Sequence, residues 1–475
     1  MSVTPSPTLL DEHLAQVAAV FDRLPAPSWS ARAYSRILAR YYRLLVPEGA
    51  SVLEIGCGAG DLLAQLPNRD VTGVDVSATQ LARARAAVPH GQFHLQAGEH
   101  LALERRFDVI ILSDTLNLAG DVQGILTRLH SVSHERTRLV INIQNQLWRP
   151  VLACAALLGQ HRHPGTNNWL ARSDVINLCH LTDWEVVSTR HTVLCPVPLL
   201  GLDYVLNRWV VPLLPFLGLA VFLLARPRPS RRESPRPETV SVVIPARNEA
   251  GNIEAAVRRT PRMGAHTELI FVEGHSKDQT WAEIQRVQAA YPQLDIKILQ
   301  QPGKGKGDAV RAGFAVAKGE ILMILDADLT MPPEELPKFY SAVADGHAEF
   351  ANGCRLVYPM EKRAMQFLNM CANKTFGLLF TWMLGQPLKD TLCGTKVLRR
   401  ADYETIVANR AYFGDFDPFG DFDLLFGAAR LNLRIVDIPI RYRERTYGTT
   451  NIQRWKHGWL LLRMVLFAAR KIKFV

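Results

Sequence analysis

The 475-residue chain is poor in cysteine, and none of its seven cysteines stands in a C-x-x-C pair. Cysteine-based zinc ribbons and fingers use such pairs, so the sequence predicts no zinc site of this type. The opening residues, MSVTPSPTLLDEH, have neither the basic segment nor the apolar segment of a secretory leader. These absences predict a protein of the reducing cytoplasm.

The chain also lacks internal repeats and long apolar runs. Its most apolar stretch, WVVPLLPFLGLAVFLLA at 209–225, contains two prolines and a glycine. At about 17 residues it is at the lower limit for crossing a bilayer. We therefore expect a loop or short helix followed by a buried strand, with a membrane span as the alternative.

The charge balance is basic, with 55 Lys and Arg against 45 Asp and Glu, a net charge of +10. This excess suits an anionic partner, such as a phosphorylated substrate, a membrane surface or nucleic acid. No nucleic-acid module is recognisable, so we do not expect a nucleic-acid partner. At about 100–200 residues per domain, the length predicts two or three domains.

A segment rich in Pro, Arg and Ser, RPRPSRRESPRPE, separates two halves in which β-rich runs alternate with helical stretches. This alternation predicts two α/β domains with mainly parallel sheets. The expected organisation is a first domain, a linker, a second domain and a basic amphipathic helix, at 1–227, 228–238, 239–454 and 455–475. In the first domain we expect a helix from Leu62 and a closing antiparallel strand pair, WEVVSTRHTVL and LAVFLLARP.

In the first domain, the apolar strand SVLEI leads into the turn GCGAGD. Closely spaced glycines let the backbone turn tightly and approach a ligand. A second strand, VTGVDV, presents Asp75 near its end, where a carboxylate can accept hydrogen bonds from ribose hydroxyls. The pair predicts a nucleoside site.

The E-x-G-x-G-x-G spacing resembles that of class I S-adenosylmethionine-dependent methyltransferases, over about residues 35–227. The resemblance implies a Rossmann-like sheet and S-adenosyl-L-methionine as cofactor. It assigns cofactor binding to six residues: Glu54, Gly56, Gly58, Gly60, Asp75 and, near the adenine, Glu99.

In the second domain, the strand ILMIL leads directly into Asp326-Ala327-Asp328. Two carboxylates at i and i+2 after a strand can converge on one hard divalent cation. Such a cation would neutralise a diphosphate leaving group.

Two further strand ends carry the turns PARNE and VEGHS, and with the D-x-D they resemble the family 2 glycosyltransferases over about residues 239–450. The resemblance implies an inverting enzyme with a GT-A fold and a nucleotide-diphospho-sugar donor. Mg²⁺ or Mn²⁺ would lie on Asp326 and Asp328. The donor would be contacted by Pro245, Arg247, Glu249, Glu273, Lys304, Lys306 and Arg311. Gly274 departs from the family pattern, because it stands where the usual D-D-x-S motif has an acid.

Four downstream motifs resemble the subgroup that glycosylates polyprenyl phosphates, such as dolichyl-phosphate β-glucosyltransferase and dolichol-phosphate mannose synthase. They are GCRLVYPMEKR, DTLCGTKVLRR, FGDFDLLF and RTYGTTNI. On this resemblance Arg355, Arg363 and Lys396 supply positive charge for an anionic acceptor. A phosphate acceptor is already ionised at neutral pH and needs no strong base. If the acceptor is a hydroxyl, the candidate bases are Asp390, Asp421 and Asp423, of which Asp423 fits the family pattern best.

The sequence thus predicts a bifunctional enzyme that transfers methyl groups and, with a metal ion, sugars to a polyprenyl-phosphate or glycan acceptor. The alternative is a glycosyltransferase acting on a soluble or polysaccharide hydroxyl, with the first domain a non-catalytic, S-adenosylmethionine-binding regulatory module. The basic apolar helix 455–475 predicts peripheral attachment to the cytoplasmic face of a membrane.

Overall fold

The computed structural model describes residues 9–24, 29–157, 168, 170–229, 237–357, 367–410, 421–443, 445, 447 and 454–474. The chain divides into two compact units. One comprises Met1–Arg228 with Ile472–Val475, and the other Pro229–Lys471. Most of the expected linker, 230–236, lies outside the described residues. None of the described helices combines the length and apolarity needed to cross a membrane.

The first unit contains a seven-stranded sheet. Its strands are β1 (Val52–Ile55), β2 (Val71–Asp75), β3 (Gln92–Leu95), β4 (Phe107–Ser113), β5 (Ser133–Gln144), β6 (Trp184–Thr192) and β7 (Ala220–Pro227). The order is β3-β2-β1-β4-β5-β7-β6, with β7 antiparallel to both of its neighbours and the other pairs parallel. This order confirms the Rossmann-like fold and the closing antiparallel pair.

Eight helices accompany this sheet in the described part of the unit. They are α1 (Leu9–Asp22), α2 (Trp29–Leu45), α3 (Ala78–Ala87), α4 (Val122–Arg128), α5 (Arg149–Leu157), α6 (Arg172–Leu181), α7 (Leu202–Val205) and α8 (Val211–Leu213). The helix expected from Leu62 is only one 3₁₀ turn, Leu63–Gln65. Leu66 adopts an extended conformation because Pro67 follows it.

Apolar side chains cover both faces of the sheet. The face beneath α2 carries Val52, Val109 and Val140, against which Leu38 and Tyr42 are packed. The other face carries a separate apolar cluster around β1, β4 and β5. Run 209–225 is a short helical segment followed by the buried strand β7, as expected.

The second unit also contains a seven-stranded sheet. Its strands are β8 (Val240–Ala246), β9 (Thr267–Glu273), β10 (Asp295–Gln300), β11 (Ile321–Ile324), β12 (Phe350–Cys354), β13 (Lys396–Arg399) and β14 (Ile435–Pro439). The order is β10-β9-β8-β11-β13-β12-β14, in which β13 is antiparallel to its neighbours. This mixed α/β sheet is consistent with the predicted GT-A fold.

The helices of the second unit precede or follow these strands. They are α9 (Ile253–Arg259), α10 (Thr280–Ala290), α11 (Lys306–Val316), α12 (Leu336–Ala344), α13 (Phe367–Leu384), α14 (Arg400–Ala408), α15 (Asp421–Arg430) and α16 (Arg454–Ile472). Strands β8, β9 and β11 are parallel neighbours, so their carboxyl ends open onto one edge of the sheet.

Candidate active sites

The glycine turn after β1 forms the first candidate site. Gly56, Gly58 and Gly60 have φ values of 72°, 52° and 76°, a region that glycine adopts without strain. A Cβ on Gly58 would meet no atom within 4 Å, whereas one on Gly56 would lie 2.9 Å from the Thr115 side chain. The turn is therefore packed at Gly56 and open at Gly58, where a ligand can approach the backbone.

Asp75, at the end of β2, closes this turn. Its Oδ2 accepts a hydrogen bond from Gly58 N at 2.8 Å, and its Oδ1 accepts one from Ser77 N at 2.9 Å. Burial raises the pKa of the Asp75 carboxyl. A carboxylate oxygen can accept more than one hydrogen bond, so Asp75 retains capacity for ribose hydroxyls.

Glu54 and Glu99 are both buried but differ in their partners. Within the described part of the chain, no donor reaches Glu54 Oε2, and burial raises the pKa of this carboxyl well above its usual value. Glu99 Oε1 instead accepts hydrogen bonds from Gly120 N at 2.9 Å and Asp121 N at 3.4 Å. Glu99 therefore braces a turn, while Glu54 offers an unsatisfied acceptor.

These residues fit S-adenosylmethionine. The open Gly58 backbone and the orphaned Glu54 oxygen are features that a polar, cationic ligand would satisfy. Asp75 contacts the same turn through Gly58 N, at the carboxyl edge of the sheet.

Asp114 is a site residue that the sequence interpretation missed. It follows β4 with a φ of 54°, which is uncommon for a residue other than glycine. Tyr34 Oη donates to its Oδ2 at 3.5 Å, and Asn117 Nδ2 donates to its Oδ1 at 3.3 Å. Burial raises the pKa of Asp114 to about 7. The signal was an acid directly after an apolar strand, at the same edge as Asp75.

The second candidate site lies at the carboxyl ends of β8, β9 and β11. Leu325 N donates to Val243 O at 3.0 Å, so β11 stays in register until Asp326. Lys306, the first residue of α11, places its Nζ 2.6 Å from Asp326 Oδ1. Burial opposes ionisation of Asp326, but the charge of Lys306 holds its pKa below the usual value.

Arg445 joins two of the predicted acids. Its guanidinium lies 2.7 Å from Glu249 Oε1 and 2.6 Å from Asp328 Oδ2. Asp328 Oδ1 accepts hydrogen bonds from Thr330 N at 3.1 Å and Thr330 Oγ1 at 2.8 Å. The sequence interpretation assigned no role to Arg445, although it begins the RTYGTTN motif.

Glycine 394 also belongs to this site. A Cβ at this position would collide with Asp326 Oδ2 and with Lys306 Nζ. The C-G-T-K segment therefore packs directly against the D-x-D carboxylates.

The other predicted donor residues are arranged around this edge. Glu273 accepts hydrogen bonds from Ser276 N at 2.5 Å and from Gln300 Nε2 at 3.1 Å. Although burial opposes it, these bonds hold the pKa of Glu273 below its usual value. Pro245 is half-buried, Arg247 and Lys304 are exposed, and Arg311 lies 3.9 Å from Asp308.

The predicted acceptor residues Arg355 and Asp390 bind each other. Arg355 donates to Asp390 from Nε at 2.7 Å, from Nη2 at 2.8 Å and from its backbone N at 3.0 Å. Despite burial, this pairing lowers the pKa of Asp390 to about 2. Such a carboxylate is a poor proton acceptor at neutral pH, so the geometry favours a positioning role for Asp390.

Lys396 and Asp423 also have partners within the chain. Lys396 is fully buried and donates to Cys393 O, while the Asp423 carboxylate lies 2.9 Å from Arg410. Arg363 lies outside the described residues.

The acids of the second site fit a divalent cation by their chemistry. Asp326 and Asp328 supply hard oxygen donors, which Mg²⁺ and Mn²⁺ prefer. Lys306 and Arg445 balance their charges. Among the described residues, no cluster of three or more His, Cys, Asp or Glu side chains could hold a metal. Water and a diphosphate would therefore have to complete the coordination.

Two regions of the chain match the models of known protein families. Residues 28–189 match a methyltransferase domain, and residues 241–407 match glycosyl transferase family 2. The chain is 31% identical over 223 residues to dolichol-phosphate mannosyltransferase of Pyrococcus furiosus, an alignment that covers 45% of this chain and 59% of that protein. It is 28% identical over 218 residues to undecaprenyl-phosphate 4-deoxy-4-formamido-L-arabinose transferase of Pectobacterium carotovorum, with coverages of 45% and 62%. The chain thus spans about three fifths of the length of these relatives.

Solved structures resemble each half at low sequence identity. A methyltransferase from Thermotoga maritima, described as a possible histamine N-methyltransferase, has a TM-score of 0.34 at 16% identity and covers 45% of this chain and 98% of its own. Glucosyl-3-phosphoglycerate synthase from Mycobacterium tuberculosis, solved with Mn²⁺ and UDP, has a TM-score of 0.36 at 19% identity, with coverages of 50% and 80%.

Proposed function

We propose that the chain is a bifunctional transferase, because residues 28–189 match a methyltransferase domain and residues 241–407 match glycosyl transferase family 2. One unit transfers a methyl group from S-adenosylmethionine. The other transfers a sugar from a nucleotide-diphospho-sugar to a polyprenyl phosphate, with inversion. A glycan hydroxyl is the alternative acceptor.

The arrangement of Asp326, Asp328 and Glu249 carries the glycosyltransferase proposal. Three acids lie near one sheet edge, and two cations of the chain, Lys306 and Arg445, hold them in place. A divalent cation on the D-x-D would offset the charge of the leaving diphosphate. Lys306 and Arg445 are close enough to pair with phosphate oxygens when a donor is bound.

The acceptor class is inferred from the matched relatives and from Asp390. Both relatives named above are polyprenyl-phosphate or dolichol-phosphate transferases by description. A phosphate acceptor needs no strong general base, and the low pKa of Asp390 agrees with a site that does not use this residue as one.

Sugar transfer to a lipid tests this assignment. We expect purified protein, given labelled nucleotide sugars, Mn²⁺ and a short polyprenyl phosphate, to produce label that is extractable into organic solvent. The matching polyprenyl alcohol, which lacks the phosphate, should remain unlabelled because it has no ionised nucleophile. Label appearing only on a soluble or polysaccharide glycan would contradict the lipid acceptor and support the alternative.

The methyltransferase proposal depends on the glycine turn and Asp75. We expect Asp75→Ala to raise the dissociation constant for S-adenosylmethionine at least tenfold, since hydrogen bonds to a charged group contribute about 1.5–3 kcal/mol. Isothermal calorimetry on the full chain measures this. Asp70→Ala is the matched control, because Asp70 lies just before the same strand and is half-exposed. Equal affinities in the two variants would argue against a ribose contact at Asp75.

The membrane attachment predicted for 455–475 remains a proposal. In α16, Met464, Val465, Ala468 and Ala469 are buried, whereas Trp459 and Leu466 are 62% and 55% exposed. One face of the helix therefore already packs within the protein. Of the α16 side chains that the structure describes, those exposed and available to lipid headgroups are Trp459, Leu462, Arg463, Leu466 and Arg470.

A further inference from the structure

An exposed apolar stripe lies on the first unit, on a helical segment with no part in either proposed site. α7, a π-helical turn (Leu206–Val210) and α8 together span Leu202–Leu213. Leu202, Val205, Trp209 and Leu213 are 53%, 47%, 42% and 64% exposed. Their spacing of three or four residues places them along one side of the segment. We call this set the 202–213 stripe.

The residues beside the stripe extend it. Leu199 and Leu200 precede it, and Leu214 and Phe216 follow it, all of them exposed. Leu200 has a φ of 47°, which is uncommon for a leucine. Contiguous exposed apolar surface of this kind marks an interaction site more often than chance exposure.

The stripe is fastened to the unit through a polar side chain on its inner side. Asn207 is buried and its Oδ1 accepts hydrogen bonds from Leu194 N at 2.7 Å and Cys195 N at 2.8 Å. Its Nδ2 donates to Cys195 O at 2.7 Å. These hydrogen bonds hold the segment on the unit. The exposure of its apolar side chains is therefore a feature of the folded segment and does not result from fraying.

The basic helix α2 contacts the backbone next to Leu194 and Cys195, the residues that bind Asn207. α2 contains four arginines and no Asp or Glu: Arg32, Arg36, Arg40 and Arg43. Tyr41 of α2 hydrogen bonds to the backbone of Val193, the residue before Leu194, and the charges of Arg40 and Arg208 both act on its hydroxyl. Arg36 and Arg40 are exposed. Positive charge therefore lies close to the stripe.

Two aromatic side chains, Tyr204 and Trp209, also belong to this surface. Tyr204 is 48% exposed and lies under the Arg208 guanidinium, which is 5.4 Å from its ring centroid. The Trp209 ring is 5.0 Å from that of Phe474. Tyr and Trp are enriched where a protein meets the headgroup region of a bilayer.

We propose that the 202–213 stripe docks the first unit on the surface of an anionic lipid bilayer. The apolar side chains would enter the boundary between headgroups and acyl chains, and the α2 arginines would meet anionic headgroups. Vesicles that contain no polyprenyl phosphate and no substrate test this docking independently of the proposed activities.

Sedimentation with vesicles measures the docking. We expect the full-length protein to bind vesicles of equimolar phosphatidylcholine and phosphatidylglycerol, and to bind pure phosphatidylcholine vesicles less. The double variant Trp209→Glu, Leu213→Glu should bind the anionic vesicles at least about tenfold more weakly, because charged side chains resist insertion. Both residues are exposed, so the variant should still fold.

Two controls separate this surface from others. Leu181→Glu with Leu378→Glu removes apolar side chains that are 60% and 74% exposed elsewhere, and it should leave vesicle binding unchanged. Arg36→Gln with Arg40→Gln should remove most of the preference for the anionic vesicles, roughly tenfold or more for two arginines.

Hydrogen exchange provides a second measurement. Anionic vesicles should slow amide exchange in peptides covering 199–216. The proposal is overturned if the wild-type protein binds neither vesicle, or if the Trp209→Glu, Leu213→Glu variant binds as well as wild type while Trp459→Glu does not. It is also overturned if the stripe instead mediates a concentration-dependent dimer that vesicles do not compete with.

Discussion

Asp328→Asn is expected to abolish metal-dependent sugar transfer, with a loss of at least about a hundredfold in kcat/KM. The substitution removes one of two carboxylates available to a cation and one partner of Arg445. Asn keeps the size of the side chain and can still accept the hydrogen bonds from Thr330. The expected loss of activity therefore comes from the missing carboxylate charge, and the fold should be preserved.

Three measurements check this expectation. Initial rates of sugar transfer should be compared across Mn²⁺ concentrations, Mn²⁺ binding should be followed by electron paramagnetic resonance, and S-adenosylmethionine binding by calorimetry. Asp326→Asn should behave like Asp328→Asn, while both retain wild-type affinity for the methyl donor. Asp345→Asn changes the same charge at an exposed position of the same unit and should have no effect.

Sugar transfer at the wild-type rate in excess chelator would contradict the metal assignment. A loss of S-adenosylmethionine binding together with sugar transfer would instead show that the variant has misfolded. The two outcomes are distinguishable because the proposed cofactor residues lie in the first unit and the D-x-D lies in the second.

The strand ends that carry the candidate sites could be predicted from the sequence because the patterns that mark them are local. Apolar runs mark β1, β8 and β11, and each ends in a turn whose glycines or acids stand within a few residues. Since parallel strands align their carboxyl ends, a residue just after a strand is placed by the strand itself. The positions of Asp75 and Asp328 at the sheet edges could therefore be predicted from the strand pattern alone.

The partners of those residues could not be predicted in the same way. Arg445 lies 117 positions after Asp328, and Tyr34 lies 80 positions before Asp114. Arg355 and Asp390 were assigned separate roles, although they form one buried ion pair. Such contacts depend on how distant segments fold over a sheet edge, and no local pattern encodes them.

Buried polar groups near the glycine turn after β1 also have partners that the sequence does not reveal. In the sequence, Asp114 follows β4 just as Asp75 ends β2, and both are acids at a strand end. The special environment of Asp114 is evident only from its contacts in the structure. Thr115, its neighbour, donates to Ile55 O at 2.7 Å and packs against Gly56. Asp114 is therefore fixed beside the glycine turn after β1, and its carboxyl accepts a hydrogen bond from Tyr34 Oη.

Asp114→Asn is expected to stabilise the first unit at alkaline pH and to have little effect at acidic pH. Burial raises the pKa of Asp114 to about 7 in the folded protein, above the value of about 3.9 for an unfolded Asp. Because the folded state holds the proton more tightly, the contribution of Asp114 to stability is greatest below pH ~4 and falls as the pH rises to about 7. A shift of about three units corresponds to a cost of up to about 4 kcal/mol above neutrality.

The variant removes this cost because Asn does not ionise, while its amide oxygen can still accept from Tyr34. Native-state hydrogen exchange in peptides covering β1, β4 and β5 should therefore report at least about 2 kcal/mol of added protection at pH 8, and much less at pH 5 after correction for intrinsic exchange. Asp108→Asn on the same strand is the opposing control. Despite some burial, hydrogen bonds from Ser51 lower the pKa of Asp108, so its removal should destabilise the unit at pH 8. If Asp114→Asn and wild type show the same pH dependence of protection, then the Asp114 carboxyl does not titrate near neutrality.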